Sequence, residues 1–156
     1  MTAPALVLPD EAATRALGAR LAATCPRRAI VLLDGDLGAG KTTLARALLR
    51  ELGVEGPVRS PTYTLVERYP TAVGEVVHMD LYRLAGAAEL DFLGLDELHE
   101  TAALWLVEWG ERGEGALPPA DLRVLLTVRD AGRSARLEAL SPVGRAWVDR
   151  VQKPFS

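Results

Sequence analysis

The chain has 156 residues, a net charge of −3, 49% hydrophobic residues and 25% charged ones. This is ordinary globular composition, and the length suits one domain spanning 1–156 with a substantial core; no apolar run approaches the ~18 residues needed to span a membrane. The acidic balance excludes a stand-alone nucleic-acid binder held by a basic surface. The single cysteine, Cys25, excludes an internal disulfide, and the stretch from Met1 to Pro9 lacks the marks of a signal peptide, so a cytoplasmic location is expected.

In chain order, Leu6 to Leu8 reads as a short edge strand. Asp10 follows as an N-cap, opening a helix that runs to about Thr24 with Leu17 and Leu21 on its buried face. Ala29-Ile30-Val31-Leu32-Leu33 is the short apolar run of a buried parallel strand. After a glycine-rich loop, Thr43 to Leu52 carries helix formers, with apolar residues at Leu44, Leu48 and Leu52 and a stop at Gly53. The β-rich segments Tyr63–Tyr69 and Glu75–Leu84, joined by a turn at Pro70–Gly74, predict an antiparallel hairpin. Ala87 to Leu98 reads as partly helical and Ala102 to Val107 as a second buried strand. Leu122–Arg129 and Ala135–Leu140 read as strands separated by a turn at Ala131-Gly132-Arg133, and Ser141-Pro142 opens a C-terminal helix through Val151. The predicted fold is α/β and similar to P-loop nucleoside triphosphatases: a mixed, mostly parallel sheet flanked by helices, with an antiparallel hairpin insertion. Residues from about 141 to 156 form the C-terminal helix and tail.

The glycine-rich loop carries the chemistry. Gly35-Asp36-Leu37-Gly38-Ala39-Gly40-Lys41-Thr42, followed by Thr43, spells G-x-x-x-x-G-K-T between a strand and a helix, the context that confirms a phosphate-binding loop. Glycines let consecutive amides turn toward a phosphate, Lys41 sets an ammonium against the β- and γ-phosphates, and Thr42 offers a hydroxyl to Mg²⁺. Lysine occurs only at Lys41 and Lys153, against sixteen arginines, so the loop keeps lysine where an arginine fork would not replace a compact ammonium.

Such a loop needs an acid at a strand end to help hold Mg²⁺. Val76-Val77-His78-Met79-Asp80 and Leu104-Trp105-Leu106-Val107-Glu108 both end in one. Either acid alone also reads as a solvated strand terminus; together with the loop they suit Mg²⁺ coordination at Asp80 and orientation of a water at Glu108. Arg59-Ser60-Pro61-Thr62-Tyr63-Thr64 stands where a loop ordered by γ-phosphate and Mg²⁺ is found in GTPases, with Thr62 or Thr64 offering a hydroxyl; it reads equally as a turn before a strand. His78 reads as a hydrogen-bonding core residue rather than a catalytic one, Trp109 as a core or site-wall aromatic, and Cys25 as inert. Arg83 and Arg59 are candidates for an arginine finger, with a salt bridge the stronger reading. The chain has no asparagine, which rules out the Asn-Lys-x-Asp guanine-reading element and favours ATP.

Taken together, the loop, Ser60-Pro61-Thr62-Tyr63-Thr64-Leu65-Val66, His78-Met79-Asp80-Leu81-Tyr82-Arg83-Leu84 and Glu108-Trp109 resemble the TsaE (YjeE) family from about Asp10 to Val128. Thr14 and Leu17-Gly18 resemble its N-terminal pattern. The resemblance implies a weak Mg²⁺-dependent ATPase that works with a TsaB–TsaD pair in threonylcarbamoyladenosine modification of tRNA, with tRNA contacted mainly through that complex. It implies phosphate binding by the loop and Lys41, a Mg²⁺ neighbourhood of Thr42, Asp80 and Glu108, Trp109 beside the nucleotide, and a switch-like loop containing Ser60, Thr62 and Thr64. Gly110 departs from the family, which often carries proline there. A small-molecule kinase and a nucleotide-sensing module with little turnover are the competing readings; a kinase needs an arginine-rich lid, and none stands out between Leu84 and Leu117.

Overall fold

Ala29 to Leu33, extended by Asp34, forms the strand around which the fold is built. The computed structural model describes residues 5–59, 61 and 64–153. Their strands are β1 (Leu6–Leu8), β2 (Ala29–Asp34), β3 (Val66–Thr71), β4 (Gly74–Asp80), β5 (Ala102–Glu108), β6 (Leu122–Arg129) and β7 (Gly132–Ala139). They make one sheet in the order β1-β7-β6-β2-β5-β4-β3. The four central strands β6-β2-β5-β4 run parallel, and β1, β7 and β3 add on antiparallel at the two ends. This is the expected mixed α/β sheet, and the hairpin is no separate insertion: its second strand, β4, pairs parallel with β5 inside the main sheet.

Helices cover both faces. α1 (Glu11–Ala23), α2 (Lys41–Glu51) and α4 (Pro142–Gln152) pack Leu17, Leu21, Leu44, Leu48 and Trp147 against Val31, Leu33, Leu104, Leu106 and Val124. On the other face, a 3₁₀ turn over Ala87–Leu93 and the short α3 (Leu95–Thr101) bring Leu90 and Leu98 over Val77, Met79, Trp105 and Val107. The segment after Ala87 is thus 3₁₀ first and α-helical only from Leu95, because Gly94 breaks it in the left-handed conformation (φ 68°).

Local signals placed the ends well. Asp10 caps α1 by accepting from the Ala13 amide at 2.9 Å, and Ser141 caps α4 by accepting from the Gly144 amide at 3.0 Å. α2 starts at Lys41, two residues before the expected start, so Lys41 and Thr42 form its first turn. β4 ends at Asp80 rather than Leu84, because the chain turns at Leu81–Tyr82. Pro70 lies within β3, an edge strand, where a missing N–H costs no ladder bond. The β6–β7 turn is tighter than expected: Arg129 pairs with Gly132, with Asp130 left-handed at φ 50°.

The C-terminal helix is a core element. Trp147 is fully buried and its Nε1 donates to the Leu21 carbonyl and the Thr24 hydroxyl. The helix starts tight against β6, since a Cβ on Gly144 would overlap the Asp121 carbonyl oxygen. Asp121 cannot yield easily: its carboxylate also accepts from the Ile30 amide and the Ser141 hydroxyl. Gly144→Ala is therefore expected to cost about 3 kcal/mol, at the upper end of overpacking losses, and to lower the melting midpoint by about 6–10 °C. An unchanged thermal melt would contradict this close approach.

Candidate functional site

The phosphate loop joins β2 to α2 and is shaped by its glycines. Gly35 sits at φ 146°, and a Cβ there would lie 2.6 Å from the Leu126 carbonyl oxygen, so no other residue fits. Gly40, at φ 107°, is the left-handed N-cap of α2. A loop that turns amides toward an anion must turn carbonyls away, and those carbonyls need partners. Lys41 Nζ donates to the Gly35 carbonyl, and the Asp36 carbonyl accepts from the Ala39 amide.

Arg133 supplies the rest. From the start of β7, its Nε donates to the Ala39 carbonyl and its Nη2 to the Gly38 carbonyl, both at 3.0 Å, while Nη1 holds the Gly132 carbonyl. Arg133 belongs to the predicted turn, and no local signal marks it: its partners lie about 94 positions away in the chain. Arg133→Met is expected to remove about 2 kcal/mol of local stability from the loop. Amide hydrogen exchange over 35–43 then speeds up while the melting midpoint changes little; unaltered exchange would show that the fork does not hold the loop.

The two acids meet as register partners: Asp80 at the end of β4 lies opposite Glu108 at the end of β5. Both are buried, at 7% and 2% exposure, beside Lys41 at 5%. The Thr42 hydroxyl points to Glu108 Oε1 at 3.4 Å. Asp80 Oδ1 accepts from the Tyr82 amide at 3.0 Å, which fixes the turn after β4. Burial holds the Lys41 pKa below the usual lysine value, against the opposing pull of Glu108, Asp80, Glu111 and Asp34. Asp34, beside the loop, has its pKa raised by burial, opposed by Arg123 at 2.8 Å.

Trp109 follows Glu108 in a left-handed conformation (φ 58°), a strained geometry for a large side chain. It lays the indole under Lys41, whose Nζ stands 3.8 Å from the ring centroid, and against the Tyr82 ring at 5.0 Å. Arg112 stacks over both rings from outside. A Cβ on Gly110 would meet the tip of the Leu32 side chain, Cδ2, at 2.9 Å.

These groups line one cleft of about 610 Å³, in the size range of small-molecule sites. It is lined by Leu37, Gly38, Gly40, Lys41, Thr42 and Thr43, by Asp80, Tyr82, Arg83, Glu108 and Trp109, and by Asp10, Glu11, Thr14, Ala131, Gly132 and Arg133. The loop, the two strand-end acids and Trp109 are thus brought together. Leu37 is 66% exposed at the loop tip. Ser60 and Thr62 lie outside the described residues. Thr64 is exposed, donates to Glu67 Oε1 at 3.1 Å and does not line the cleft. Arg59 does not line it either; its amide donates to the Tyr69 hydroxyl. His78 is a buried hydrogen-bonder as expected, but its partner is Glu108, at 2.6 Å between Nε2 and Oε2.

Among the described residues no group of three His, Cys, Asp or Glu side chains can hold a metal ion unaided. The oxygens at this end, the Thr42 hydroxyl and the two carboxylates, are hard donors of the kind Mg²⁺ takes, and Mg²⁺ commonly completes its shell with phosphate oxygens and water. An ammonium, a hydroxyl and two carboxylates thus line one cleft.

The family model described as threonylcarbamoyl adenosine biosynthesis protein TsaE matches residues 8–136. The tRNA threonylcarbamoyladenosine biosynthesis protein TsaE of Haemophilus influenzae is 47% identical over 116 residues, covering 74% of this chain and 73% of the relative. Its counterpart from Bacillus subtilis is 36% identical over 90% of this chain and 85% of the relative. Among solved structures, the crystal structure of Bacillus subtilis YdiB superposes with a TM-score of 0.82 at 27% identity, covering 97% of this chain and 95% of that one.

Proposed function

This chain belongs to the TsaE family and hence to tRNA threonylcarbamoyladenosine biosynthesis, and from that premise we propose that it is a Mg²⁺-dependent ATP-binding and ATP-hydrolysing accessory protein acting with a TsaB–TsaD pair. The observation that carries the ATPase reading is the meeting of Lys41 and Thr42, in the first turn of α2, with Glu108 and Asp80 across one cleft. Lys41 and the loop amides neutralise the phosphate charge and fix its orientation. Thr42 and Asp80 hold Mg²⁺, which when bound withdraws charge from the β- and γ-phosphate oxygens. Glu108 orients the attacking water, and Trp109 with Tyr82 walls the site beside Lys41 and limits the approach of further water.

The lack of asparagine removes the usual guanine-reading element and supports ATP over GTP. A net charge of −3 supports contact with tRNA through the partner pair rather than by this chain alone. Among the described residues no helix is long and apolar enough to cross a membrane, which fits work on a cytoplasmic tRNA.

The reading is tested by pull-down of TsaB–TsaD with the chain, with and without Mg²⁺ and ATP, alongside phosphate release. Association that depends on nucleotide, and turnover that rises when partners and tRNA are added, are the expected results. Nucleotide-insensitive association with flat turnover would sink it, and ATP-dependent phosphorylation of a metabolite would point to a kinase.

A further inference from the structure

His78 is the one fully buried imidazole among the described residues. On β4 it lies opposite Leu106 of β5 and Glu67 of β3. Its Nε2 meets Glu108 Oε2 at 2.6 Å, with 1% and 3% of the two side chains exposed. Its Nδ1 is buried with no hydrogen-bond partner. A ring nitrogen left in this state works against folding. What histidine adds is its contact with Glu108. A carboxylate accepts only, so against an ionised Glu108 the Nε2 atom is the donor.

Glu108 has two oxygens and two neighbours. His78 takes Oε2 from the interior side, and Oε1 faces the Thr42 hydroxyl on the cleft side. Without the imidazole, the carboxyl group is free to turn about its terminal torsion, which has no sharp preference of its own. We propose that His78 is a positioning residue: it pins Oε2 of Glu108 so that Oε1 is presented to the cleft at Thr42. The proposal rests on the reading that Glu108 orients the attacking water.

The test compares His78→Leu, which keeps the bulk and removes the donor, with His78→Gln, whose amide nitrogen reaches the place of Nε2. Turnover and nucleotide affinity are measured on the full chain with TsaB–TsaD, tRNA, Mg²⁺ and ATP, and each variant is first checked by circular dichroism and thermal melt. The expected result for His78→Leu is a fall in turnover of about 10–100-fold, the size usual for loss of a partner behind a functional side chain. ATP affinity should stay within about threefold, and His78→Gln should recover most of the rate. In a Glu108→Gln background, His78→Leu should add almost no further loss, because both act through one carboxylate. If His78→Leu does not fold, His78→Met takes its place.

Normal turnover in His78→Leu beside a damaged Glu108→Gln would overturn the role of His78 alone. Losses that multiply fully in the double variant, or a His78→Gln rate no better than that of His78→Leu, would also overturn it and leave His78 as packing. Normal turnover in both single variants would remove the reading of Glu108 itself, and the positioning role with it.

Discussion

Lys41→Ala is expected to weaken ATP binding about 100-fold and to abolish measurable turnover. Two charge-assisted contacts to phosphate oxygens are worth about 1.5–3 kcal/mol each, and the low end of their sum, about 3 kcal/mol, is a factor of about 100. Lysine is poised for this by its surroundings. It is nearly buried at the start of α2, donates to the Gly35 carbonyl and rests on the Trp109 ring. Burial disfavours its charged form, while Glu108, Asp80, Glu111 and Asp34 favour it. Moving the ammonium onto a phosphate exchanges one anionic setting for another without exposing it to bulk water. Lys41→Arg should not restore binding, because the planar guanidinium cannot occupy the narrow space between the Gly35 carbonyl and the indole. Titration calorimetry with ATP and Mg²⁺ checks both variants; wild-type affinity and turnover in Lys41→Ala would contradict the part given to the loop.

Glu108→Gln is expected to cut turnover about 100-fold or more while leaving ATP affinity within about threefold. A positioned group that handles the water's proton contributes about 10²–10⁴-fold, and a change confined to the chemical step leaves binding nearly intact. The amide keeps the shape of the carboxylate and still accepts from His78 through its oxygen, so the core around β4 and β5 is preserved. What is lost is the anionic oxygen that faces Thr42. Phosphate release and ATP titration, each with and without Mg²⁺, separate the outcomes. Equal damage to ATP binding with and without the metal would make Glu108 a structural residue.

Much of the site was legible along the chain because its parts are local. The strand–loop–helix unit follows from an apolar run, glycines that adopt positive φ and a stretch of helix formers, all within about 25 residues. Asp80 and Glu108 stood out because each ends a buried run, and a strand end at the loop side of a parallel sheet is where ligands bind. The caps at Asp10 and Ser141 are equally local, resting on one side chain and an amide three residues on. The glycine-rich loop with its lysine and hydroxyl, the two strand-end acids and the class of fold are therefore readable along the chain.

Tertiary structure decided the rest. That Asp80 faces Glu108 depends on the register of β4 against β5, two parallel strands joined by a long crossover, and no period along the chain encodes that alignment. His78 reads along the chain as a hydrogen-bonding core residue, but only the packing of β5 names its partner, Glu108 at 2.6 Å. Arg133 read as part of a turn until β7 came to lie beside the loop and its fork took two loop carbonyls. Thr64, one of the two threonines offered by pattern as a hydroxyl donor, gives its hydroxyl to Glu67. Hydrogen bonds between side chains far apart in sequence depend on three-dimensional placement to within an ångström. Local propensity selects elements and their faces, whereas the packing of those faces sets which polar atoms meet.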